Sequence, residues 1–481
     1  MNKFYITTPI YYVNDKPHIG HAYTTVAADI LARWHKLQGK DVFFLTGTDE
    51  HGAKVAQAAE KAGQSPKEFC DNRTQDFQDA WKLFNIKYDK FIRTTDAAHE
   101  AAISRALQRM FERDFIYQGT YEGLYCVGCE QYKTSDDLID GKCPEHLIEP
   151  QLMKEESYFF KLSFFGKELE EKILNDELAI EPKERKNEVL SFIRGGLKDI
   201  SISRKNIKWG IPLPFDKEHT TYVWVDALLN YLTGIGWNGD NEKDLPWWPV
   251  DVQLMAKDIV RVHATIWPGL LMALNTEFNL PKKFFVHGFF TINGQKMSKS
   301  LGNVIWPEDM IAKFGADASR YLLMASTPFG QDGDISWEKM TAKYNADLAN
   351  GLGNLVSRVF KLASDYSSTE LRQQIEASGE VLDFARTIND SMEAMKLFET
   401  LQLIREKIVW ANQRIDATKL WDLMKTNKDE AQKILTELLG VIVAIGEVLA
   451  SFMPETSEKI LTAAKAEKIE KGEGLFLRVK Y

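Results

Sequence analysis

The chain has 481 residues and a mass of 55.0 kDa, which predicts about three domains rather than one. Hydrophobic residues make up 44% of it and charged residues 27%, the balance of a globular protein with substantial cores. The net charge of -9 argues against a protein that coats polyanions, although a local basic face can still bind nucleic acid. The 4 cysteines do not make a disulfide framework, so we expect a reducing compartment, most simply the cytoplasm.

Strand-like and helix-like segments alternate through residues 1–116. Strands are predicted at residues 3–8 and 42–45, and residues 24–38 between them carry apolar positions at helical spacing. Another helix is predicted to begin near Pro66. Strand, helix and strand at this spacing predict a parallel sheet with helices on its faces.

The pattern changes at residues 117–220, where cysteines, glycines and short strand-like pieces replace the regular alternation. This range is predicted to be an inserted domain. The alternation resumes over residues 221–300, with strands predicted at residues 254–259 and 284–290. The inserted domain therefore separates two halves of one α/β domain.

Strand signals disappear after residues 301–340, which are predicted to form a linker. Amphipathic stretches at residues 382–397 and 433–449 predict an all-helical bundle over residues 341–481. The longest apolar stretch, residues 440–453, contains a glutamate and is too short to cross a bilayer. Neither this stretch nor the amino terminus has the pattern of an anchor or a leader, so no membrane partner is expected.

Two short motifs indicate a nucleotide site. The first, which follows the first predicted strand and opens a helix, is Pro17-His18-Ile19-Gly20-His21. Helix N-termini suit phosphate, glycine permits close backbone approach, and the two imidazoles can hydrogen-bond phosphate oxygens. The second, whose lysines can meet the charge on a leaving pyrophosphate, is Lys296-Met297-Ser298-Lys299-Ser300. Either motif alone is a common surface feature, but both together, on either side of the inserted domain, predict ATP-dependent chemistry.

A cysteine–histidine cluster falls inside the inserted domain. Its members, in two pairs that each have two intervening residues, are Cys126, Cys129, Cys143 and His146. This spacing predicts a tetrahedral zinc site, and four protein ligands predict a structural rather than a catalytic metal. Cys70 stands apart on a predicted helix and is expected to be a core or surface thiol.

The two nucleotide motifs resemble the HIGH and KMSKS signatures of class I aminoacyl-tRNA synthetases. The cysteine–histidine cluster and four further segments, at residues 8–12, 46–52, 223–231 and 257–268, are similar to the methionyl-tRNA synthetase family. The resemblance covers nearly the whole chain. It implies an α/β fold with a Rossmann-type parallel sheet, split by a zinc-containing connective insertion and followed by an all-α anticodon-binding helical bundle.

The resemblance implies a methionine-tRNA ligase. Methionine and ATP with Mg²⁺ would form methionyl-adenylate and pyrophosphate, and the methionyl group would pass to the 3'-terminal ribose of initiator or elongator tRNA(Met). One structural Zn²⁺ is implied, and a monomer is expected because no dimer-forming domain follows the bundle. Two alternatives stay open: a class I synthetase for another apolar amino acid, and a catalytically silent tRNA-binding scaffold. Leucine, isoleucine and valine enzymes usually carry a larger editing insertion, and a small HIGH-type nucleotidyltransferase would lack the zinc cluster and the bundle.

The resemblance also assigns individual residues. The catalytic residues are His18, His21, Lys296 and Lys299. The ATP site adds to them Gly20, Ala256 and Asp258. The methionine site comprises Ile10, Tyr12, Asp49, Trp224, Ala227, Leu228, Tyr231, His263 and Trp267. The anticodon residues are Asn354, Arg358 and Trp421.

Elementary chemistry agrees with these assignments. A polarizable thioether packs well against aromatic edges, and a carboxylate such as Asp49 can pair with the substrate ammonium. An amide, a guanidinium and an indole can stack on and read splayed anticodon bases. Two positions depart from the family pattern: Ala256 replaces a glycine, which is predicted to narrow the nucleotide site modestly, and Leu420 replaces the proline before the anticodon tryptophan.

Overall fold

The computed structural model describes residues 2–128, 131–133, 137–144, 146–274, 278–297, 302–364, 379–470, 472 and 474–480. Cys129 and Lys299, predicted for the metal and ATP sites, lie outside the described residues. The backbone of Lys296 is described, but its side chain is not.

The first region contains strands β1 (Lys3–Tyr12), β2 (Asp41–Asp49) and β3 (Lys90–Arg93) and helices α1 (Ile19–Leu37), α2 (Ala53–Lys61), α3 (Pro66–Leu83) and α4 (Ala97–Glu112). The two predicted strands and two predicted helices are present as β1, β2, α1 and α3, and the first three are longer than predicted. Elements β3, α2 and α4 were not predicted. β1 and β2 remain paired to their last residues, where Tyr12 lies opposite Asp49. Helix α3 begins at Pro66 as predicted, because the Ser65 hydroxyl accepts a hydrogen bond from the Glu68 amide.

The range predicted to be an inserted domain contains two α-helices, the expected short strands, and two strands of 11 and 10 residues that are longer than the pieces predicted. They are β4 (Ile116–Cys126), β5 (Gln131–Lys133), β6 (Gln151–Phe160), α5 (Gly166–Leu174), β7 (Ala179–Glu181), α6 (Lys183–Arg194), β8 (Ile200–Ser201), β9 (Ser203–Arg204) and β10 (Thr220–Thr221). Strands β5, β4, β6 and β8 form a separate sheet in that order.

The second half of the α/β region then follows. Its elements are α7 (Val223–Leu228), α8 (Asn230–Thr233), β11 (Val252–Ala256), α9 (Val260–Leu274), β12 (Lys283–His287), β13 (Phe290–Ile292), β14 (Gln295–Lys296), α10 (Pro307–Phe314), α11 (Ala316–Met324) and β15 (Gly333–Ile335). Both predicted strands are shorter than expected, because the chain turns after Ala256 and bends at Gly288. A Cβ on Gly288 would lie 2.4 Å from the Asp332 backbone nitrogen, so this bend requires glycine.

The described residues beyond Ile335 are helical or irregular, as predicted. The helices are α12 (Trp337–Lys343), a π-helical stretch (Tyr344–Gly353), α13 (Asn354–Ala363), α14 (Gly379–Glu393), α15 (Leu397–Thr418), α16 (Leu420–Thr426), α17 (Lys428–Phe452) and α18 (Pro454–Ala464). Helix α17 is long and apolar enough to span a membrane. However, 78% of its most apolar 18-residue stretch is buried inside the fold, as in a core helix.

Six parallel strands form the central sheet in the order β3-β2-β1-β11-β12-β7. Strand order reverses between β1 and β11, which makes the carboxyl ends of these two strands the place where such sheets bind ligands. The sixth strand, β7, comes from the middle of the range predicted as an insertion. Part of residues 117–220 therefore completes the main sheet, so the insertion is not one continuous separate unit.

The two faces of the sheet carry separate cores. Phe4 and Ile6 pack on the side of α1, and Tyr5 between them packs on the side of α4 and α9. The first core continues into the helical bundle. Fully buried Arg320 holds this junction, because its guanidinium donates to the backbone carbonyls of Ser451 and Phe452 in α17.

Candidate active site

A cavity of about 460 Å³ opens at the carboxyl ends of β1 and β11. The predicted residues that line it are Ile10, Tyr12, His18, Gly20, His21, Asp49, Trp224, Ala227, Leu228, Tyr231, Ala256, Asp258 and His263. The fold thus brings together residues that lie more than two hundred positions apart in the sequence. A parallel sheet does this because its strands all end at the same edge.

The two histidines of the first motif cap helix α1. The Gly20 amide donates to Nδ1 of His18 at 3.0 Å, and the His18 amide donates to Nδ1 of His21 at 3.1 Å. A neutral imidazole that accepts at Nδ1 carries its proton on Nε2, so both rings present an Nε2–H donor. Burial, with a smaller contribution from His18, lowers the pKa of His21 well below its usual value. The His21 ring is therefore neutral at physiological pH.

The absence of a side chain at Gly20 leaves room for the His18 ring as well as for a nucleotide. A Cβ at this position would lie 2.7 Å from Cε1 of His18 and 3.6 Å from the Met297 methyl group. The first approach is closer than atoms tolerate, so a side chain would displace the His18 ring. Met297, from the second motif, lies at the same cavity and brings the two signatures together.

The apolar part of the cavity has a histidine–tyrosine wall. The Tyr231 hydroxyl donates to Nε2 of His263 at 2.8 Å, because Nδ1 of His263 lies 3.0 Å from the Ile259 carbonyl and donates to it. Burial lowers the pKa of His263 to about 4. This neutral ring and the flanking Trp224 form a wall without a fixed charge, suited to an uncharged side chain.

Trp267 was predicted to line this pocket but lies behind it. It is fully buried, packs against Tyr231 with ring centroids 5.6 Å apart, and donates from its indole to Gln253. Its position in the middle of α9 turns the indole into the core rather than toward the cavity. Trp267 therefore supports the wall and is not part of its surface.

Sequence reasoning missed several lining residues. Lys54, in the first turn of α2, is the one lysine or arginine among the described lining residues, and its ammonium lies 5.9 Å from the centroid of the Tyr12 ring. Thr24 and His287 were also missed. In the structure they are hydrogen-bonded to each other, with the Thr24 hydroxyl 2.7 Å from Nε2 of His287. Lys54 could have been noticed as a cation three residues after His51 at a strand-to-helix turn, but His287 offered no local signal.

The residue after Asp49 anchors the turn at the end of β2. Glu50 is fully buried, and its carboxylate accepts two hydrogen bonds from Arg93, at 2.7 and 2.8 Å. Burial raises its pKa, but the bonds from Arg93, Thr95 and Thr48 outweigh this effect and lower the pKa of Glu50 below its usual value. This network holds the strand end that carries Asp49.

Three of the four predicted metal ligands are among the described residues, and they lie close together. Ligand atoms of Cys126, Cys143 and His146 lie within 4.8 Å of one another, and Cys143 Sγ lies 3.9 Å from His146 Nδ1. Both cysteines are fully buried. A Cβ on Gly128 would lie 2.4 Å from the His146 ring, so the turn between the ligands needs glycine. Cys70 was expected to be either a core or a surface thiol. It is a buried core thiol in α3.

Two of the predicted anticodon residues are held together on the bundle. Asn354 and Arg358 lie one turn apart on α13, and both donate to Oδ1 of Asn412 in α15 at 3.3 Å. Arg358 also forms an ion pair with Asp416, one turn further along α15. Trp421 is 42% exposed in α16, which follows α15 directly. The amide and the guanidinium therefore share one helix, α13, and the exposed indole lies on α16, which α15 connects to them.

The departure at Leu420 has a local explanation. Lys419 adopts a left-handed conformation, with φ 44° and ψ 52°, between α15 and α16. A proline at the next position would disfavour this conformation of Lys419, whereas Leu420 is compatible with it and is fully buried. The backbone before Trp421 therefore takes a turn that the family's usual proline would not favour.

Known proteins resemble the chain along its whole length. The family model described as "tRNA synthetases class I (M)" matches residues 4–151 and 146–360, and the model described as "Anticodon binding domain of methionyl tRNA ligase" matches residues 365–474. A methionine–tRNA ligase of Caldanaerobacter subterraneus is 43% identical over 95% of this chain and 73% of the relative. Its counterpart in Thermotoga maritima is 42% identical over 97% of this chain and 76% of the relative.

Solved structures agree in fold. The methionyl-tRNA synthetase of Mycobacterium tuberculosis in complex with methionyl-adenylate superimposes with a TM-score of 0.88 and 37% identity, over 96% of this chain and 94% of that one. The free form of the same enzyme gives a TM-score of 0.82 and 32% identity, over 100% of this chain and 99% of the other.

Proposed function

The chain belongs to the class I methionyl-tRNA synthetase family, and we propose that it is a methionine-tRNA ligase that acts in two steps. It activates methionine with ATP and then transfers the methionyl group to the 3'-terminal ribose of tRNA(Met). The observation that carries this proposal is the cavity itself. It joins the paired histidines, the carboxylate of Asp49 and an uncharged aromatic pocket at the switch point of the sheet.

In the first step an oxygen of the methionine carboxylate attacks the α-phosphorus of ATP and pyrophosphate leaves. The Nε2–H groups of His18 and His21 would donate to phosphate oxygens and stabilise the charge that develops there. Lys296 and Lys299 would stabilise the negative charge on the departing pyrophosphate. Mg²⁺ bound to ATP would help to neutralise the same charge. No covalent enzyme intermediate is needed, so catalysis rests on positioning and electrostatics.

Methionine would lie with its ammonium on Asp49 and its thioether between the aromatic walls. Tyr12 and Trp224 offer aromatic surface, and neutral His263 adds no charge that would favour a polar side chain. Lys54 lies at the same cavity as Asp49, and its positive charge would suit the substrate carboxylate or the adenylate phosphate. Ala256, the last residue of β11, and Asp258, in the turn that follows, would contact the adenosine.

In the second step the bundle would select the tRNA. Asn354, Arg358 and Trp421 would read the anticodon by hydrogen bonds and stacking, because single-stranded bases are recognised in this way. Initiator and elongator tRNA(Met) share an anticodon and would both be substrates. The cysteines of the metal cluster would have to stay reduced to bind zinc, which supports a protein of a reducing compartment such as the cytoplasm.

One zinc ion would hold the insertion together, with Cys126, Cys129, Cys143 and His146 as ligands. The described ligand atoms support this, because the S and N ligands of a tetrahedral zinc ion lie about 3.6 Å apart. Cys143 Sγ lies 3.9 Å from His146 Nδ1, so a small adjustment of the side chains would bring the pair to the distance that zinc needs. The metal would shape the fold and take no part in the chemistry. Metal analysis of the purified chain should give one zinc per chain, and Cys143→Ser should lose it; no zinc in the unchanged chain would contradict the assignment.

The test of the proposed activity is amino-acid-dependent exchange between pyrophosphate and ATP, run with all twenty amino acids. Methionine should support the fastest exchange, and no tRNA should be needed. Exchange with leucine, isoleucine or valine and none with methionine would identify a different class I synthetase. No exchange with any amino acid would identify a catalytically silent scaffold.

A further inference from the structure

A buried carboxylate joins two histidines behind the methionine pocket. Asp226 lies in α7, between the cavity-lining residues Trp224 and Ala227, and its side chain is only 1% exposed. Its Oδ2 lies 2.7 Å from Nδ1 of His51, and its Oδ1 lies 2.8 Å from Nε2 of His99. Each carboxylate oxygen therefore accepts a hydrogen bond from a histidine.

These bonds connect three parts of the fold that border the cavity. His51 follows β2 and is two residues from Asp49, so its position sets the end of that strand. His99 belongs to α4, and its Nδ1 lies 2.7 Å from the Thr233 hydroxyl in α8. Asp226 thus ties the strand end that carries Asp49 to the short helix that forms the apolar wall.

The electrostatic environment makes this connection strong. A buried carboxylate is costly unless charged or polar partners surround it. Burial lowers the pKa of His51, but Asp226, helped by Glu100 at 3.6 Å, outweighs burial and raises that pKa to about 10. His51 is therefore a cation at neutral pH, and the pair is held at short distance where little water can compete.

We propose that Asp226 is a positioning residue for methionine recognition. Through its two histidine partners it fixes the separation between Asp49 and the pocket wall on α7. This inference rests on the proposed function, which assigns the substrate ammonium to Asp49 and the thioether to that wall. Methionine spans both surfaces, so its binding depends on their separation. ATP would instead contact the histidine motif and the turn after β11. Its binding therefore does not depend on the separation between Asp49 and the pocket wall.

The test compares two buried carboxylates in the same fold. Asp226→Asn keeps the shape of the side chain and removes its charge. The matched control is Asp29→Asn: Asp29 in α1 is equally buried and pairs with Arg33 and Arg320 at 2.7 Å, away from the cavity. Pyrophosphate exchange is measured with methionine and ATP varied separately, together with the melting temperature of each variant.

We expect Asp226→Asn to raise the KM for methionine about tenfold and to change the KM for ATP less than about twofold, since small misplacements of binding groups weaken binding sharply. Asp29→Asn should lower the melting temperature and leave both KM values within about twofold. A folded Asp226→Asn variant with an unchanged KM for methionine overturns the proposal. An equal rise in both KM values also overturns it, because that is the result of a general structural defect.

A milder variant covers the case in which Asp226→Asn does not fold. His99→Gln removes one of the two histidine partners and leaves the Asp226–His51 pair in place. It should raise the KM for methionine about threefold, in the same selective way; an unchanged KM overturns the proposal. Failure of the proposed function is a separate result, because it would appear as absent methionine-dependent exchange in the unchanged chain.

Discussion

The cavity and the proposed anticodon face of the bundle are built differently. The cavity residues come from many elements of the α/β region, among them β1, α1, β2, α2, α7, α8, β11, α9 and β12, and many of its polar groups are buried and bonded to partners distant in the sequence. On the bundle, Asn354 and Arg358 lie one turn apart and remain partly accessible. One site therefore depends on the whole sheet, whereas the other depends on two neighbouring helices. Substitutions at one site should therefore change its activity without changing that of the other.

The largest expected effect is at the cavity. His18→Asn should reduce methionine-dependent pyrophosphate exchange about 100- to 1000-fold, because a donor to the developing charge is lost. The amide of asparagine is as good a helix N-cap as any side chain, so the melting temperature should change little. Binding of tRNA should also be unchanged. Exchange within about tenfold of the unchanged chain would contradict the role given to His18.

The next effect is on the bundle. Arg358→Ala should weaken tRNA binding about 10- to 100-fold, because a charged hydrogen-bond donor to the anticodon is removed. Pyrophosphate exchange without tRNA should not change. Arg414→Ala is the matched control, since Arg414 lies on α15 and pairs with Glu437 rather than with the proposed anticodon residues. If both variants bind tRNA equally well, Arg358 does not read the anticodon.

Acid should destabilise the catalytic part rather than the bundle. All 9 histidines precede residue 288, and none lies in residues 341–481. Burial lowers the pKa of His287 from 6.5 to about 4, so its neutral form contributes stability above pH 6.5, and this contribution is lost as the pH falls toward 4. His287→Gln should therefore reduce the loss of melting temperature between pH 6.5 and 4. An identical slope in both proteins would contradict the buried neutral state of His287.

The smallest effect is expected at Ala256. Its methyl group borders the proposed adenosine site at the end of β11, where the family usually has glycine. Ala256→Gly should lower the KM for ATP by about two- to fourfold, the equivalent of one methyl group, with the KM for methionine unchanged. No change in the KM for ATP would show that the methyl group does not narrow the site.

Local sequence signals predicted the elements and the motifs well, because they depend on spacing within one segment. The strands near residues 3–8 and 42–45, the start of α3 at Pro66 and the helical bundle are confirmed. The proximity of Cys126, Cys143 and His146 was also predictable from spacing.

Features that depend on contacts between distant segments were not predictable in this way. Strand β7 joins the sheet from within the predicted insertion, because it pairs with β12 about a hundred residues later. Trp267 faces the core because of how α9 packs. Asp226 stands alone among apolar residues of α7, which marks it as a buried polar group, but its histidine partners lie more than one hundred residues away.

The measurement that tests the account most directly is charging of two tRNAs by the unchanged chain. One is tRNA(Met), and the other is the same tRNA with its anticodon replaced. We predict that methionine is attached efficiently to the first and at least about 100-fold less efficiently to the second, while methionine-dependent pyrophosphate exchange proceeds without either. Equal charging of both tRNAs, or no charging of tRNA(Met), would contradict a methionine-tRNA ligase with separate adenylation and anticodon sites.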